Sequence, residues 1–350
     1  MIEYKAIGLM SGTSLDGLDI AFCEFRQDNS IWDYSVIYAE TIPYSGEWID
    51  KLTSLPLSTA MDYVATDHSY GHLLGKLTRE FIDKYHIKAD FIASHGHTIF
   101  HQPDRGFTAQ IGNGAAIKAE TGLPVICDFR SGDVANGGQG APLVPAGDKL
   151  LFAAFDYCLN LGGFANISYD QRDDRVAFDI CPVNIVLNKL AGNSGLLYDK
   201  DGDLASSGHV DAQLLNNLNN LPYYRQTGPR SLGKEWVEEM IFPLLLRSGL
   251  NNVDMLSTFC THVAEQIASH SGTDKQKTML VTGGGTHNKY LISLIRSSIS
   301  CQLKIPDPLT INYKEALIFA FLGVLRWKNE INCLKTVTGA KKDDSCGTIY

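Results

Sequence analysis

Two aspartates stand in or beside a turn near the start of the chain, Gly8-Leu-Met-Ser-Gly-Thr-Ser-Leu-Asp-Gly-Leu-Asp19. Three glycines and three hydroxyl side chains accompany Asp16 and Asp19, between an apolar lead-in (Ala6, Ile7) and a strand-like run from Leu18 to Phe25. A turn of this composition offers backbone N–H groups to an anion. It has no lysine, which excludes a Walker A loop, and no helix follows it, which excludes a G-x-G-x-x-G dinucleotide turn. Two more glycine-rich turns leave apolar strands, at 160–166 and 282–288, and carry Asn160, Asn166 and Asn288. Phosphoryl transfer asks a protein mainly for positioning and charge stabilisation. Two hairpin turns facing each other across a cleft could supply both, and the third turn, closing before a helix, could admit a flat ring. Asp16 suits Mg²⁺, held directly or through water. Asp19, on the outgoing strand, could share that role or order the turn through Asx hydrogen bonds.

Three further groups could carry chemistry. Ser94-His-Gly-His-Thr98, with His101 nearby, places His95 and His97 at strand spacing, which would put both on one face and permits a zinc reading. Polar residues where a buried strand emerges more often contact substrate. Asp128, Arg130 and Asp133 leave the next strand on a glycine-rich loop and suit sugar hydroxyls or carboxylates, with arginine offering a bidentate fork. Asp179 lies between Phe178 and Ile180 on an apolar strand, where a carboxylate needs partners or a function. Beside a phosphate site such a group serves as a general base.

The elements that must position these residues follow from periodicity. Strands are expected at 4–10, 18–25 and 34–42, and a helix from Ala60 to about Tyr85 behind a Thr59–Asp62 capping box. A buried strand at 91–95, a helix at 115–121 and a strand at 123–128 form a parallel crossover. Residues 130–147 read as a long loop. The theme then restarts, with strands at 157–161, 164–168 and 175–181 and helices near 183–192, 233–247 and 257–270. A strand at 278–282 leads to helices at 287–298 and 314–327. This shared order in the two halves suggests an internal duplication.

At 350 residues the chain has room for two cores, and 44% apolar with 20% charged residues is an ordinary globular composition. A net charge of −9 argues against nucleic acid or an anionic membrane as partner. The start of the chain shows no signal peptide, and no apolar run is long enough to cross a membrane. The eight scattered cysteines suit buried thiols in the cytoplasm.

Together these motifs resemble the anhydro-N-acetylmuramic acid kinases, members of the actin/sugar kinase/Hsp70 superfamily, over nearly the whole length. The resemblance rests on Gly8 to Gly17, Ser94 to Thr98, Gln110-Ile-Gly112, Asp128-Phe-Arg130 and Asp133-Val-Ala with Gly137 to Pro145. It continues through Asn160 to Ser168, Asp199-Lys-Asp-Gly202 with Gly208, Pro229-Arg-Ser231 with Gly233-Lys-Glu235, Gly283-Gly-Gly285 with His287-Asn288, and Glu315-Ala316 with Phe319-Ala320.

That resemblance implies an α/β, two-domain, duplicated ribonuclease H-like fold with a central cleft. Residues 1–130 plus 310–350 would form the first domain and 131–309 the second. It also implies a homodimer that phosphorylates O6 of 1,6-anhydro-N-acetylmuramic acid with ATP and Mg²⁺ while water opens the anhydro bridge. Asp179 maps onto the family's water-activating base. ATP would be held by Gly12, Thr13, Ser14, Leu15, Asp16, Gly17, Leu18 and Asp19, by Asn160, Gly162 and Gly163, and by Gly283, Gly284, Gly285 and Asn288, with Asp16 on the metal. The sugar would be held by His95, His97, Asp128, Arg130, Asp133 and Glu315. An actin- or Hsp70-like nucleotide switch acting on a protein partner is the competing expectation. The chain departs from the family where F-D-T-G-P-G-N becomes Phe178-Asp-Ile-Cys-Pro-Val-Asn184, where His97 replaces a usual Gln, and where Asn312 replaces an Asp. Cys181 and Val183 in place of glycines deny that backbone a cheap positive φ.

Overall fold

Strand β1 (Ile2–Ser11) turns back into β2 (Leu18–Asp28), which pairs with β3 (Ile31–Ile42), so the chain begins with three consecutive antiparallel strands. The computed structural model describes every residue except Met1, Thr13, Asp173, Thr227 and Pro229. Helix Ala60–Tyr85 opens as expected, with the Thr59 hydroxyl oxygen accepting the Asp62 N–H at 3.1 Å. It ends at His86 in the left-handed region. The chain then enters β4 (Phe91–Gln102), which lies parallel to β1. This strand is longer than the 91–95 expected, because Gly96 at φ +74° lets it bend and continue against β5 (Phe107–Ile111). After helix Gly114–Thr121, β6 (Val125–Cys127) adds in parallel to β4.

The second hairpin set repeats this plan. Strands β7 (Tyr157–Leu161), β8 (Phe164–Gln171) and β9 (Asp174–Pro182) are antiparallel. Then β10 (Thr278–Thr282) lies parallel to β7 and β11 (Gln302–Lys304) parallel to β10. The orders β3-β2-β1-β4-β6 and β9-β8-β7-β10-β11 are therefore the same path drawn twice, with β12 (Thr348–Ile349) added outside β6. This is an α/β fold of two duplicated ribonuclease H-like units, the arrangement of the actin/sugar kinase/Hsp70 superfamily.

Contacts divide the chain into Met1–Phe152 with Tyr313–Tyr350, and Ala153–Asn312. Residues 131–152, assigned to the second domain on sequence grounds, thus lie in the first unit. Two buried bonds hold them there. The Asp133 carboxylate accepts from the Thr338 hydroxyl at 2.7 Å, and Asp148 pairs with Lys314 at 2.8 Å. Those residues are also not one loop, since helices Ser131–Ala135 and Val144–Leu151 occupy much of them. The return crossing falls at Tyr313, where helix Pro308–Trp327 is kinked.

That helix is long and apolar enough to cross a membrane, yet Ala316 to Leu322 are at most 1% exposed. Two glycines explain its seating. A Cβ on Gly8 of β1 would stand 1.9 Å from the Ala316 carbonyl oxygen, and one on Gly323 would stand 2.6 Å from Ala93 of β4. At both contacts the missing side chain is what lets the helix and the sheet come this close. In the second unit the helix expected at 233–247 is broken into Lys234–Trp236, a π turn Val237–Ile241 and Phe242–Arg247. Pro243 has no N–H to bond back into the preceding turn. Helix Asn252–Ala268 packs on β9 and carries much of that unit's buried core.

Candidate functional site

In the first unit the turn between β1 and β2 is short and open. Ser11 and Leu18 are paired in register, leaving residues 12–17 as the loop. Gly17 lies against the end of β3, where a Cβ would meet the Ile42 carbonyl oxygen at 2.5 Å. Leu15 takes φ +58° and donates its N–H to Gly12. The N–H groups of Ser14, Asp16 and Gly17 have no acceptor among the described residues, which suits a loop that binds an anion. The Ser14 hydroxyl donates to Asp16 at 2.7 Å, and the Thr41 hydroxyl donates to Asp19 at 2.6 Å. Burial raises the Asp19 carboxyl above its usual range against the Thr41 bond, and the charge of Asp16 adds to the rise. Thr13, also expected on this loop, lies outside the described residues.

Each histidine of β4 has a hydrogen-bond partner, and His95 has one on both ring nitrogens. His95 donates from Nδ1 to the Gly96 carbonyl at 2.8 Å and accepts at Nε2 from Arg130 at 2.9 Å and 3.1 Å. Burial, then the Arg130 charge, hold His95 well below its ordinary pKa. His97 Nδ1 lies 3.0 Å from the Ser11 hydroxyl, and His101 Nδ1 lies 3.1 Å from that of Thr108. The positive φ of Gly96 separates the faces of His95 and His97, so the one-face spacing read from the sequence is not realised. No group of three or more His, Cys, Asp or Glu stands ready for a metal among the described residues. The zinc reading is therefore withdrawn.

Arg130 is clamped between His95 and the Gly140 carbonyl, which accepts from Nη1 at 2.6 Å. Asp128, at φ +59°, is exposed next to it. Asp133 behaves differently. It is 1% exposed, and its carboxylate also accepts the Gly140 N–H at 2.7 Å beside the Thr338 bond. The expected sugar contact at Asp133 is replaced by a loop-holding one, and His97, 5% exposed, is likewise turned inward. Glu315 keeps its side chain open to solvent, yet crowding by protein raises its carboxyl above the usual range, opposed by Arg130 and Lys314 and reinforced by Asp19.

In the second unit the other two glycine turns pack on one another. A Cβ on Gly283, at φ +86°, would lie 2.6 Å from the Asn160 side-chain oxygen, and one on Gly285 would lie 2.7 Å from Leu161. The carbonyls of Gly162 and Gly163 accept from Asn184 and Val183 at the start of helix Asn184–Gly192. Nothing crowds Gly163. Asn288 caps helix Lys289–Ser298 by accepting the Leu291 N–H at 2.9 Å, so its oxygen is committed to the fold. Beside these turns is a cavity of about 480 Å³ lined by Asn184, Leu187, Tyr198, Lys200, Gly284 and His287, a size that suits a nucleoside. Leu187, Tyr198 and Lys200 were not singled out as site residues. The available signal was the Asp199-Lys-Asp-Gly202 motif, whose Asp201 and Gly202 both take positive φ.

Asp179 sits on β9 opposite Asn166, at a bulge in the β8–β9 pairing, a device that re-aims side chains. Its Oδ2 accepts the Leu232 N–H at 2.9 Å, and no described residue bonds Oδ1. Burial raises its carboxyl above the usual range, while the Leu232 bond and the Arg230 charge oppose the rise. Cys181 and Val183 adopt no positive φ and are 0% exposed, so the departures behind Asp179 are absorbed into the core.

A family model described as anhydro-N-acetylmuramic acid kinase matches residues 4–350. The chain is 32% identical over 359 residues to the anhydro-N-acetylmuramic acid kinase of Hydrogenovibrio crunogenus, covering 98% of this chain and 97% of the relative. It is 33% identical over 372 residues to that of Pseudomonas syringae pv. tomato, covering all of both. Among solved structures it is similar to component A of the (R)-2-hydroxyglutaryl-CoA dehydratase of Acidaminococcus fermentans, at 12% identity and a TM-score of 0.46 over 91% of this chain and 96% of that one.

Proposed function

The chain belongs to the anhydro-N-acetylmuramic acid kinase family, and from that premise we propose that it phosphorylates 1,6-anhydro-N-acetylmuramic acid with ATP. Water adds its oxygen to C1, the C1–O6 bond breaks, O6 takes the γ-phosphoryl group, and one water proton passes to a base. N-acetylmuramic acid 6-phosphate and ADP result. The observation that carries this reading is Asp179, a half-buried carboxylate with one oxygen held by Leu232 and the other without a hydrogen-bond partner among the described residues. A general base needs a free, oriented oxygen and a pKa lifted toward neutrality.

Each unit supplies its own share. In the second, the cavity beside Gly284 and His287 takes the nucleoside, and the open Gly162–Gly163 turn takes phosphate. In the first, the N–H groups of Ser14, Asp16 and Gly17 bind phosphate oxygens, and His95-braced Arg130 with Asp128 and Glu315 binds the sugar. Asp16 and Asp19 fit Mg²⁺. They are hard oxygen donors on the turn and on the strand that leaves it, each with a single hydroxyl bonded to it, and magnesium commonly takes one or two carboxylates beside waters and phosphates. When bound, the ion offsets phosphate charge.

We also infer a homodimer acting in the cytoplasm, in the recycling of peptidoglycan sugars. Eight free cysteines, seven of them buried, support a reducing compartment. The net charge of −9 supports a partner that is neither nucleic acid nor anionic membrane. The nucleotide-switch alternative is set aside, since the curated relatives are named as kinases. Purified protein with ATP and Mg²⁺ should release ADP only when the anhydro sugar is added. Turnover that ignores the sugar would sink the reading.

A further inference from the structure

Asp179 is wrapped by a segment to which no motif assigned a role. Its N–H donates to the Arg230 carbonyl at 3.0 Å, and its own carbonyl accepts from the Tyr223 hydroxyl at 2.7 Å and from Arg230 Nε at 3.3 Å. Leu232, two residues further on, holds Oδ2. Arg230 is itself immobilised. It donates from Nη2 to His270 Nε2 at 2.7 Å and from Nη1 to the Gln226 carbonyl. Its guanidinium also lies over the rings of Phe178, at 4.7 Å, and Tyr223, at 5.2 Å. Arginine has only donors, so His270 must present a bare Nε2 and carry its proton on Nδ1.

We propose that Arg230 is a positioning residue for the base: held by His270 and the two rings, it fixes the Asp179 peptide so that Oδ2 stays on Leu232 and Oδ1 alone meets the attacking water. This rests on Asp179 being the base, as argued above.

The groups facing Asp179 make the idea measurable. Tyr223 and Arg230 come from the covering segment, Cys181 from the base's own strand, neutral Asn166 from β8, and His270 stands behind Arg230. His270 is kept from protonating by burial and by Arg230. Arg230 is therefore the permanent charge in this group, and it works against burial to keep Asp179 ionised. Its loss leaves the Leu232 bond to do so alone.

Arg230→Met and Arg230→Lys should be compared with the wild type for sugar-dependent ADP release across pH. Arg230→Met is expected to move the acid limb of kcat/KM upward by about one pH unit. It should lower kcat by about ten- to a hundred-fold with little change in KM. Arg230→Lys keeps the charge but loses the fork, so the limb should return toward wild type while kcat recovers only in part. Imidazole ¹⁵N spectra should show a bare, hydrogen-bonded His270 Nε2 in the wild type, and loss of that bond in Arg230→Met. An unmoved limb with a raised KM for ATP or sugar would overturn the proposal and make Arg230 a ligand contact. If the wild type itself shows no sugar-dependent turnover, the functional reading has failed instead. The ¹⁵N signature and the titration of a ¹³C-labelled Asp179 carboxyl, expected higher in Arg230→Met, then decide the positioning role without activity.

Discussion

The Ser11 hydroxyl lies 3.0 Å from His97 Nδ1, at the end of a chain of buried hydroxyl groups. Tyr44 donates to Ser11 at 2.8 Å and lies 2.7 Å from the Tyr70 hydroxyl, so a neutral His97 protonated on Nε2 gives every proton of the chain an acceptor: Tyr70 to Tyr44, Tyr44 to Ser11, and Ser11 to His97 Nδ1. All four side chains are under 9% exposed. Ser11 is the last residue of β1 before the loop at 12–17 proposed to bind phosphate. His97→Ala removes the terminal acceptor and should cost about 1–3 kcal/mol of stability, read from denaturant unfolding, with weaker ATP binding. His97→Gln, which restores the residue usual in the family, offers an oxygen in the same role and should cost under about 1 kcal/mol. Equal losses in the two variants would show that the proton-ordered chain does not matter.

Asp179→Asn keeps the Leu232 bond to a side-chain oxygen but removes the proton acceptor. The kcat should fall by about a hundred- to ten-thousand-fold. Calorimetric ATP affinity should stay nearly intact, because the cavity proposed for the nucleoside does not include this residue. Loss of nucleotide binding in this variant would move the base elsewhere.

Acid stability should be governed in part by His262. It is wholly buried, lies 2.6 Å from the Asn219 side-chain oxygen through Nδ1 and 3.0 Å from the Tyr224 hydroxyl through Nε2, and burial lowers its pKa to about 3. The unfolded chain takes up this proton below about pH 6.5, where the folded chain does not. Stability is thus whole above that pH and is lost as pH falls toward the folded value, by up to about 1.4 kcal/mol per pH unit. His95, His97, His101 and His270 are shifted in the same direction and add to the loss. Urea unfolding between about pH 7 and 5 should show a slope shallower by nearly one proton in His262→Gln. An unchanged slope would rule this histidine out.

Gly283 and Gly284 separate backbone strain from ligand contact. Gly283→Ala places a Cβ 2.6 Å from the Asn160 side-chain oxygen at φ +86°, and should cost about 1–3 kcal/mol in thermal unfolding. Gly284→Ala meets nothing closer than 3.8 Å and has no positive φ, so the fold should be untouched. If a flat base lies on this turn, Gly284→Ala should weaken nucleotide binding with no change in Tm. A fall in Tm without loss of affinity would displace the nucleoside from the turn.

What the sequence revealed was local. The three-strand starts, the Thr59 capping box and the glycine turns depend on neighbours in the chain, and they stand where expected. Long-range partners were invisible. Asp133 reads as a ligand contact until Thr338, 205 residues away, is seen to occupy it. His95 and His97 read as a pair until the φ of Gly96 parts them. The crossing between units was placed after residue 130 because the Asp148–Lys314 pair, which ties the following helix to the first unit, leaves no local mark. Asp179 stood out as a buried carboxylate, but its rank as the base came from the family resemblance. Arg230 lay in the Pro229-Arg-Ser231 motif, but nothing in the sequence tied that motif to Asp179 or to His270.

Helix Pro308–Trp327 carries a consequence for the order in which the protein is made. The second unit is one unbroken stretch, Ala153–Asn312, and its core is complete once that stretch has left the ribosome. The first unit begins earlier but cannot finish, because the helix that seats against Gly8 and Ala93 is synthesised only after nearly all of the second unit. Until then the apolar face of β1 has no cover. The half of the molecule that is translated first is therefore the last to close, and for that interval it depends on chaperones or on speed to avoid sticking to its neighbours.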